Sequence, residues 1–197
     1  MQNKRMAGEY EIILSTPTTS GECVIGENIK ANPGYTYMVA NYESNEICGV
    51  YNDVLCSDNY SEILQLYGER IVEASKEFAK KYEMLKSKLG DISPISKSHC
   101  EPVSYEDSIL NKVAVISPSC LKRGLVNSAN QLVLVTGGFG ANSNSRGRKV
   151  FVTNIASGEK ETWCREDIMG TINNDNLPLW AQNRLQQITA EFDDMEI

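Results

Sequence analysis

The stretch from Gln131 to Arg165 decides the fold, and it reads QLVLVT (131–136), GGFGANSNSRGR (137–148), KVFVTNI (149–155), ASGE (156–159) and KETWCR (160–165). Branched and aromatic residues dominate the first and third of these segments, as they do in half-buried strands. Ser157 and Gly158 stand between the third and fifth segments, and such a pair is a hairpin signal because glycine adopts a positive φ at little steric cost. The stretch therefore predicts an antiparallel β-meander of three strands, with Trp163 anchoring the third.

A long polar loop separates the first two predicted strands. It contains four glycines, several asparagines and serines, and a basic cluster at its far end, while Phe139 is its one large apolar side chain. A loop of this length in a compact domain is usually either mobile or functional. Two interpretations stay open: a flexible, solvated hairpin loop, or a contact surface for nucleic acid or a protein partner.

The residues of this loop suit an anionic ligand. Glycine-rich turns present backbone N–H groups to anions, and arginine binds phosphate or carboxylate with two parallel hydrogen bonds. The loop lacks the Gly-Lys-Ser/Thr ending of a P-loop, and a strand follows Gly147 where a dinucleotide fingerprint requires a helix. An aromatic ring beside cations is also how single-strand binders hold a base. The candidate partner-binding or nucleic-acid-binding residues are Phe139, Asn142, Asn144, Arg146, Arg148 and Lys149.

The composition is that of an ordinary globular protein. The chain has 197 residues, 41% hydrophobic and 23% charged, which is enough to bury a core in one domain or two small ones. Its formal net charge of -7 argues against coating nucleic acid through bulk positive charge, and it suits a protein partner with a basic surface. No apolar run approaches the roughly 18 residues of a membrane span, so we expect a cytoplasmic protein without membrane contact.

The first half of the chain predicts strands followed by a long helix. Residues 10–14 read as a strand, and residues 35–40 and 47–51 read as a hairpin across the polar link 43–46. Beyond them the apolar spacing changes from two to three or four, which is the change from strand to helix. The hairpin is expected to cover one face of that helix.

Apolar residues recur every three or four positions between Asn59 and Gly90, with charges mainly between them, which predicts one amphipathic helix. Asn59 with Glu62 fits an N-terminal capping arrangement, and Gly90 stands where a C-terminal cap belongs. Gly68 in the interior predicts a bend. Such a helix either packs on the chain's own sheet, which we favour, or pairs with a second copy in a coiled coil.

The proline- and serine-rich segment 92–108 predicts a linker between an N-terminal domain, 1–91, and a C-terminal domain, 109–197. In the second domain, residues 112–116 read as a strand and residues 177–192 as a closing helix. The predicted fold class is α+β: an N-terminal β-hairpin plus a long amphipathic helix, and a C-terminal antiparallel β-meander closed by a helix.

Catalytic and metal-binding patterns are sparse. His99 is the one histidine, so any catalytic triad or dyad must use it, and Cys120 is the cysteine that best fits a nucleophile. The six cysteines contain no C-x-x-C pair, which gives no support to a zinc site or a disulfide framework. The acidic pair Glu166-Asp167 is a weak candidate for Mg²⁺. We expect no enzymatic activity, no cofactor and no metal.

The segment NQLVLVTGGFGANSNSRGRKVFVTNIASGEKETWCREDIMGTI, followed by LPLWA, resembles a segment of small uncharacterised accessory proteins carried on plasmids and integrative elements of gut Firmicutes. The resemblance covers the region from Ile109 to Ile188. Such proteins look like accessory or counter-defence factors, and some mobile-element proteins of similar size are inhibitors of Cas9, the anti-CRISPR class. No catalytic residue transfers with this resemblance.

The resemblance implies a non-enzymatic counter-defence protein that binds and inhibits a host defence nuclease, with Cas9 and its guide RNA as the specific hypothesis. Because Cas9 holds its nucleic acids in basic channels, an acidic protein with a long helix can block one while its RGRK segment touches DNA. Two alternatives remain open. One is a nucleic-acid-binding accessory protein of a mobile element, and the other is a cysteine-dependent hydrolase that uses Cys120.

Overall fold

The structure is a computed structural model that describes residues 5–44 and 48–195, with side chains described as far as residue 190. Residues 45 and 46 of the predicted polar link and Ile47, the first residue of the predicted second strand, lie outside the described residues. The chain forms two compact units, Met1–Lys81 and Tyr82–Ile197. Helices and antiparallel sheets are both present, which confirms the α+β class.

The first unit is built on a sheet of five antiparallel strands in sequential order. They are β1 (Met6–Ala7), β2 (Tyr10–Pro17), β3 (Glu22–Glu27), β4 (Tyr37–Ser44) and β5 (Gly49–Ser57). The predicted hairpin is the β4–β5 pair, and the predicted first strand is the start of β2. The sequence alone does not predict β3, because only Cys23, Val24 and Ile25 of its residues form an apolar run.

The strand β5 lies at one edge of this sheet and is its longest strand, with nine residues. Its side chains Val50, Val54 and Leu55 are about half exposed. The register with β4 shifts once along the pair, and Asp53 adopts a positive φ of 50° at that point. The strand is therefore locally bulged and not uniformly extended.

The long helix α1 (Tyr60–Leu89) spans the predicted residues. The Asn59 side chain accepts a hydrogen bond from a backbone N–H of the first turn at 3.0 Å. The Glu62 carboxylate accepts from the Ser57 hydroxyl at 2.6 Å, so it does not complete the predicted capping arrangement with Asn59. Gly90 follows the last helical residue with a φ of 85°, the left-handed helix end that favours glycine.

The first half of α1 packs on the sheet of the first unit, the alternative favoured from the sequence. Ile63 and Tyr67 of the helix form a buried cluster with Cys23, Ile25 and Val39 of β3 and β4. These residues lie on one stripe of the helix and one face of the sheet, as amphipathic patterns require. Burial of this apolar stripe holds the helix to the sheet.

Gly68 lies on the exposed side of α1, and a β-carbon added there would contact nothing within 4 Å. We expect Gly68→Ala to raise the free energy of unfolding by about 0.5–1 kcal/mol, because glycine is the poorer helix former. Urea denaturation followed by far-UV circular dichroism measures the change. Gly26→Ala is the matched control and should destabilise, since its added carbon would lie 2.9 Å from Tyr10 Cβ, an atom that a change of rotamer does not move. A destabilising Gly68→Ala would contradict the regular helix at this position.

The second unit is built on another sheet of five antiparallel strands. They are β6 (Val113–Ile116), β7 (Leu132–Gly137), β8 (Lys149–Asn154), β9 (Lys160–Cys164) and β10 (Ile168–Thr171). In space the order is β10-β6-β7-β8-β9, so β7, β8 and β9 form the predicted meander. The sequence alone does not predict β10, because its few residues include Gly170 and pair with a strand that is distant along the chain.

Each face of this sheet is covered by a different part of the chain. The short helix α2 (Ser128–Gln131) leads into β7. On one face lies helix α3 (Leu179–Met195), whose Trp180 and Leu185 join a buried cluster with side chains of β6 and β7. On the other face, Ile109 and Ala141 join a second buried cluster with side chains of β6, β7 and β8. The predicted closing helix is therefore present, although it begins at a later residue than predicted.

The segment predicted as a linker, 92–108, belongs to the second unit. Ile92 and Ile95 are buried in the same cluster as the side chains of α3. The buried Gln131 amide accepts from the Ile95 N–H at 2.8 Å, and it donates to the carbonyls of Ile95 at 3.0 Å and Ile116 at 3.3 Å. The proline and serine content is typical of a linker, but two isoleucines and this glutamine fix the segment to the sheet.

Candidate functional site

The long loop between β7 and β8 is ordered at its start. Gly138 adopts a φ of 90°, and a β-carbon there would lie 2.5 Å from the Lys149 carbonyl oxygen, so glycine is required. A short 3-10 helix follows at Phe139–Ala141, and Ala141 is fully buried. The Ala141 carbonyl accepts a hydrogen bond from the Ile109 N–H at 2.8 Å. The loop therefore begins as part of the core.

The far half of the loop is tied to an earlier segment of the chain. The Asn144 N–H donates to the Tyr105 carbonyl at 3.0 Å, and the Tyr105 hydroxyl donates to the Ser145 carbonyl. Gly147 lies against Phe139, since a β-carbon on Gly147 would stand 2.4 Å from Phe139 Cβ. These contacts hold the far half of the loop to the rest of the unit, so it is not a loose, solvated hairpin loop.

Arg165 holds the two sides of this arrangement together. Its guanidinium donates to the carbonyl oxygens of Gly140 at 2.7 Å, Ser104 at 2.7 Å and Asp107 at 2.8 Å. Partial burial lowers the pKa of the guanidinium, and the Asp107 carboxylate opposes this shift. The sequence does not single out Arg165, because its three acceptors are backbone atoms of residues 25, 61 and 58 positions away.

These contacts surround an open cavity of about 340 Å³. Arginine side chains line it from three positions, 146, 148 and 165, and Glu166 is the one acid among the described residues of its lining. The cavity therefore has an excess of guanidinium groups, which suits a phosphate or a carboxylate. Asn142 adds an amide to the same lining.

The structure brings some of the six candidate residues into this cavity and leaves the others outside it. All six side chains are exposed. Asn142, Arg146 and Arg148 line the cavity, whereas the other three do not. Among those three, the Phe139 ring is 76% exposed. The candidate site is therefore a cavity with an exposed ring nearby in sequence, and we call these six residues the loop surface.

The cations of the loop surface differ in their pairing. Arg148 forms an ion pair with Glu166, and its Nε donates to that carboxylate at 3.2 Å. In the part of the chain that the structure describes, neither Arg146 nor Lys149 has an ion-pair partner. These two charges are therefore available to an incoming anion, whereas Arg148 must first release the Glu166 carboxylate before it can bind that anion.

The acidity of the chain is unevenly spread. Residues 1–81 carry 12 acidic and 7 basic side chains, whereas residues 82–197 carry 14 acidic and 12 basic ones. Four of those 14 acids lie beyond residue 190, so residues 82–190 carry 10 acidic and 12 basic side chains. The overall acidity is therefore not an argument against polyanion binding by the stretch 82–190, which contains the loop.

No protein-family model, curated protein or solved structure matched the chain. Within residues 5–44 and 48–195, no helix is long and apolar enough to cross a membrane.

The residues considered for catalysis have structural partners. The Cys120 thiol donates to the Asp167 carboxylate at 3.3 Å, and burial together with this carboxylate raises the pKa of the thiol. Nδ1 of the His99 ring lies 3.1 Å from the Ser96 hydroxyl. Because a raised pKa works against the thiolate that a nucleophile needs, these contacts do not favour the hydrolase alternative.

The acidic pair Glu166-Asp167 is also engaged by the protein itself. Glu166 binds Arg148, and the Asp167 carboxylate accepts from the Cys164 N–H at 2.8 Å. Among the described residues, no three His, Cys, Asp or Glu side chains are grouped so that they could hold a metal ion. The pair therefore acts as an ion-pair partner and a helix cap in this fold.

Proposed function

We propose that this protein is a non-catalytic binding protein of a mobile element, and that its loop surface contacts the backbone of a nucleic acid. One observation carries the proposal: Arg146 and Lys149, which have no ion-pair partner among the described residues, and the exposed ring of Phe139 lie on or directly after a loop whose backbone is anchored. An anchored loop loses little conformational entropy when a ligand binds, so its cations bind a polyanion more tightly than cations on a mobile chain.

The chemistry of phosphate binding gives this surface a defined signature. Cations that neutralise phosphates release the counterions of the nucleic acid, so affinity falls steeply as salt rises. Arg146 and Lys149 contribute most, because Arg148 must first give up Glu166. The Phe139 ring can add stacking on a base, which depends far less on salt.

Counter-defence is the finer proposal, with Cas9 and its guide RNA as the partner. Two features support it: the resemblance of residues 109–188 to mobile-element proteins, and the acidity of residues 1–81, with 12 acidic and 7 basic side chains. An acidic unit suits the basic channels in which such nucleases hold nucleic acid. The loop surface would supply the contact with the nucleic acid itself.

Removing the two unpaired cations is expected to weaken binding to a labelled DNA strand about tenfold at low salt, because two phosphate contacts are lost. In Arg146→Ala with Lys149→Ala, the plot of log affinity against log salt should become shallower by about 1.4 to 2 in slope. Fluorescence anisotropy over a salt series measures both quantities. The matched control is Lys122→Ala with Arg123→Ala, which removes two exposed cations elsewhere in the same unit.

Two outcomes would contradict the proposal. Equal losses in both double variants would assign the effect to net charge and not to the loop surface. Absence of any salt-dependent binding by the unaltered protein would remove the nucleic-acid function altogether.

Guided DNA cleavage by purified Cas9 tests the finer proposal. We expect preincubation with the protein to suppress cleavage, and the Arg146→Ala, Lys149→Ala variant to suppress it less. Full cleavage together with salt-dependent DNA binding would reject counter-defence and leave the nucleic-acid-binding accessory protein.

A further inference from the structure

A second exposed ring lies on the sheet of the second unit, outside the loop surface. Phe151 in β8 is 51% exposed and stands directly opposite Thr162 of β9. On its other side, the Thr136 hydroxyl of β7 donates to the Phe151 carbonyl at 3.2 Å. These three residues border an open depression of about 300 Å³.

Strand alternation separates this ring from the core. Its neighbours Val150 and Val152 are buried on the opposite side of β8. Phe151 belongs to neither of the two buried clusters of the unit, as far as the described residues show. Gly137, paired with Phe151 across the ladder, adds no side chain that would cover the ring. One side of the ring is therefore open to a ligand.

Two lysines stand on the same face as the ring. Lys149 lies two residues before Phe151 in β8. Lys160 lies two residues before Thr162, the residue of β9 opposite Phe151. Because side chains alternate between the two faces of a sheet, both lysines are on the same face as the Phe151 ring. Neither lysine has an ion-pair partner among the described residues. Glu161 also borders the depression, but its carboxylate accepts from the Trp163 Nε1–H at 2.7 Å.

We infer that Phe151 is a stacking platform for an unpaired base, and that the nucleic acid this protein binds is single-stranded. The inference rests on the proposed nucleic-acid function and names its ligand class. Isolated exposed apolar residues are ordinary on protein surfaces, but a ring between two lysines that have no ion-pair partner in the described part of the chain complements both a base and the phosphates beside it. A duplex keeps its bases stacked on one another, so it offers no free base face without the cost of unstacking.

An abasic strand separates base stacking from phosphate contact. We compare the affinity of the full chain for an oligothymidine of about 12 nucleotides, for an abasic strand of equal length and charge, and for a duplex. The unaltered protein should bind the oligothymidine at least about tenfold more tightly than the abasic strand, since one stacked base typically contributes about that much. Phe151→Leu should lower this preference about tenfold, because leucine keeps the apolar surface of the sheet and lacks the ring, while stacking on Phe139 is unaffected. Phe151→Trp should retain the full preference.

The controls distinguish this inference from the function on which it rests. Tyr35→Ala removes a 57% exposed ring of the first unit and should leave the preference unchanged. Thermal melting checks that each variant is folded. A preference for bases that is unchanged in Phe151→Leu, or equal binding of all three ligands by the unaltered protein, would overturn the inference while phosphate binding by the loop surface stands. Binding of none of the ligands would overturn both.

Discussion

Replacing Gln131 with leucine is expected to lower the free energy of unfolding by about 3 kcal/mol. This value is within the range measured when buried backbone groups lose their hydrogen-bond partner. The Gln131 side chain is fully buried and makes three hydrogen bonds, two to Ile95 and one to Ile116. Leucine has a similar size, so it leaves no large cavity. It does leave the Ile95 N–H and two carbonyl oxygens buried without the partner they had.

Urea denaturation of the variant and of the unaltered chain measures this loss. Gln186→Leu is the matched control, because Gln186 is exposed on α3 and the same change there should alter stability by less than about 0.5 kcal/mol. Hydrogen exchange at the Ile95 amide should also accelerate in the Gln131 variant alone. A loss no larger than that of the control would show that residues 92–95 are held by apolar burial and not by the glutamine.

Replacing Arg165 with methionine is expected to cost about 2 kcal/mol, since hydrogen bonds from a charged donor are worth more than neutral ones. Its guanidinium joins three carbonyl oxygens, those of Gly140, Ser104 and Asp107. Methionine keeps most of the apolar stem and removes every donor. The loop surface should then lose its support, and exchange of the Asn144 amide should become faster.

Arg148→Met is the matched control for this substitution. Arg148 lies on the same loop surface, but its partner is the Glu166 carboxylate in an exposed ion pair. Exposed ion pairs contribute at most about 1 kcal/mol, so Arg148→Met should destabilise the protein less than Arg165→Met. The opposite order of stabilities, measured by denaturation, would contradict the role assigned to Arg165.

Local sequence pattern was sufficient for the elements that depend on near neighbours. The meander follows from the branched runs and the Ser157-Gly158 turn, and both the apolar spacing of α1 and its Gly90 cap can be read from adjacent residues. The candidate loop residues were found in the same way, because a cluster of cations in a polar loop is visible in the sequence alone. The fold class was predictable for this reason.

Local sequence pattern does not predict the role of a side chain whose hydrogen-bond partner is a backbone group far away in the sequence. Arg165 looks like a surface cation at the end of a strand, yet its acceptors belong to residues up to 61 positions away. Segment 92–108 has the composition of a linker, and only the Gln131 amide shows why it is fixed. The sequence predicts Phe151 to be a strand residue, but its 51% exposure depends on which segments cover the sheet.

The bulge in β5 has a consequence for how the protein behaves at high concentration. An edge strand presents a row of backbone N–H and C=O groups, and β5 also carries the exposed side chains of Val50, Val54 and Leu55. Such an edge invites a strand from another molecule to pair with it, which leads to aggregates. At Asp53 the positive φ and the register shift interrupt that row, and the carboxylate places a charge in the middle of the apolar edge. The irregular residue therefore protects the chain from continuous strand addition.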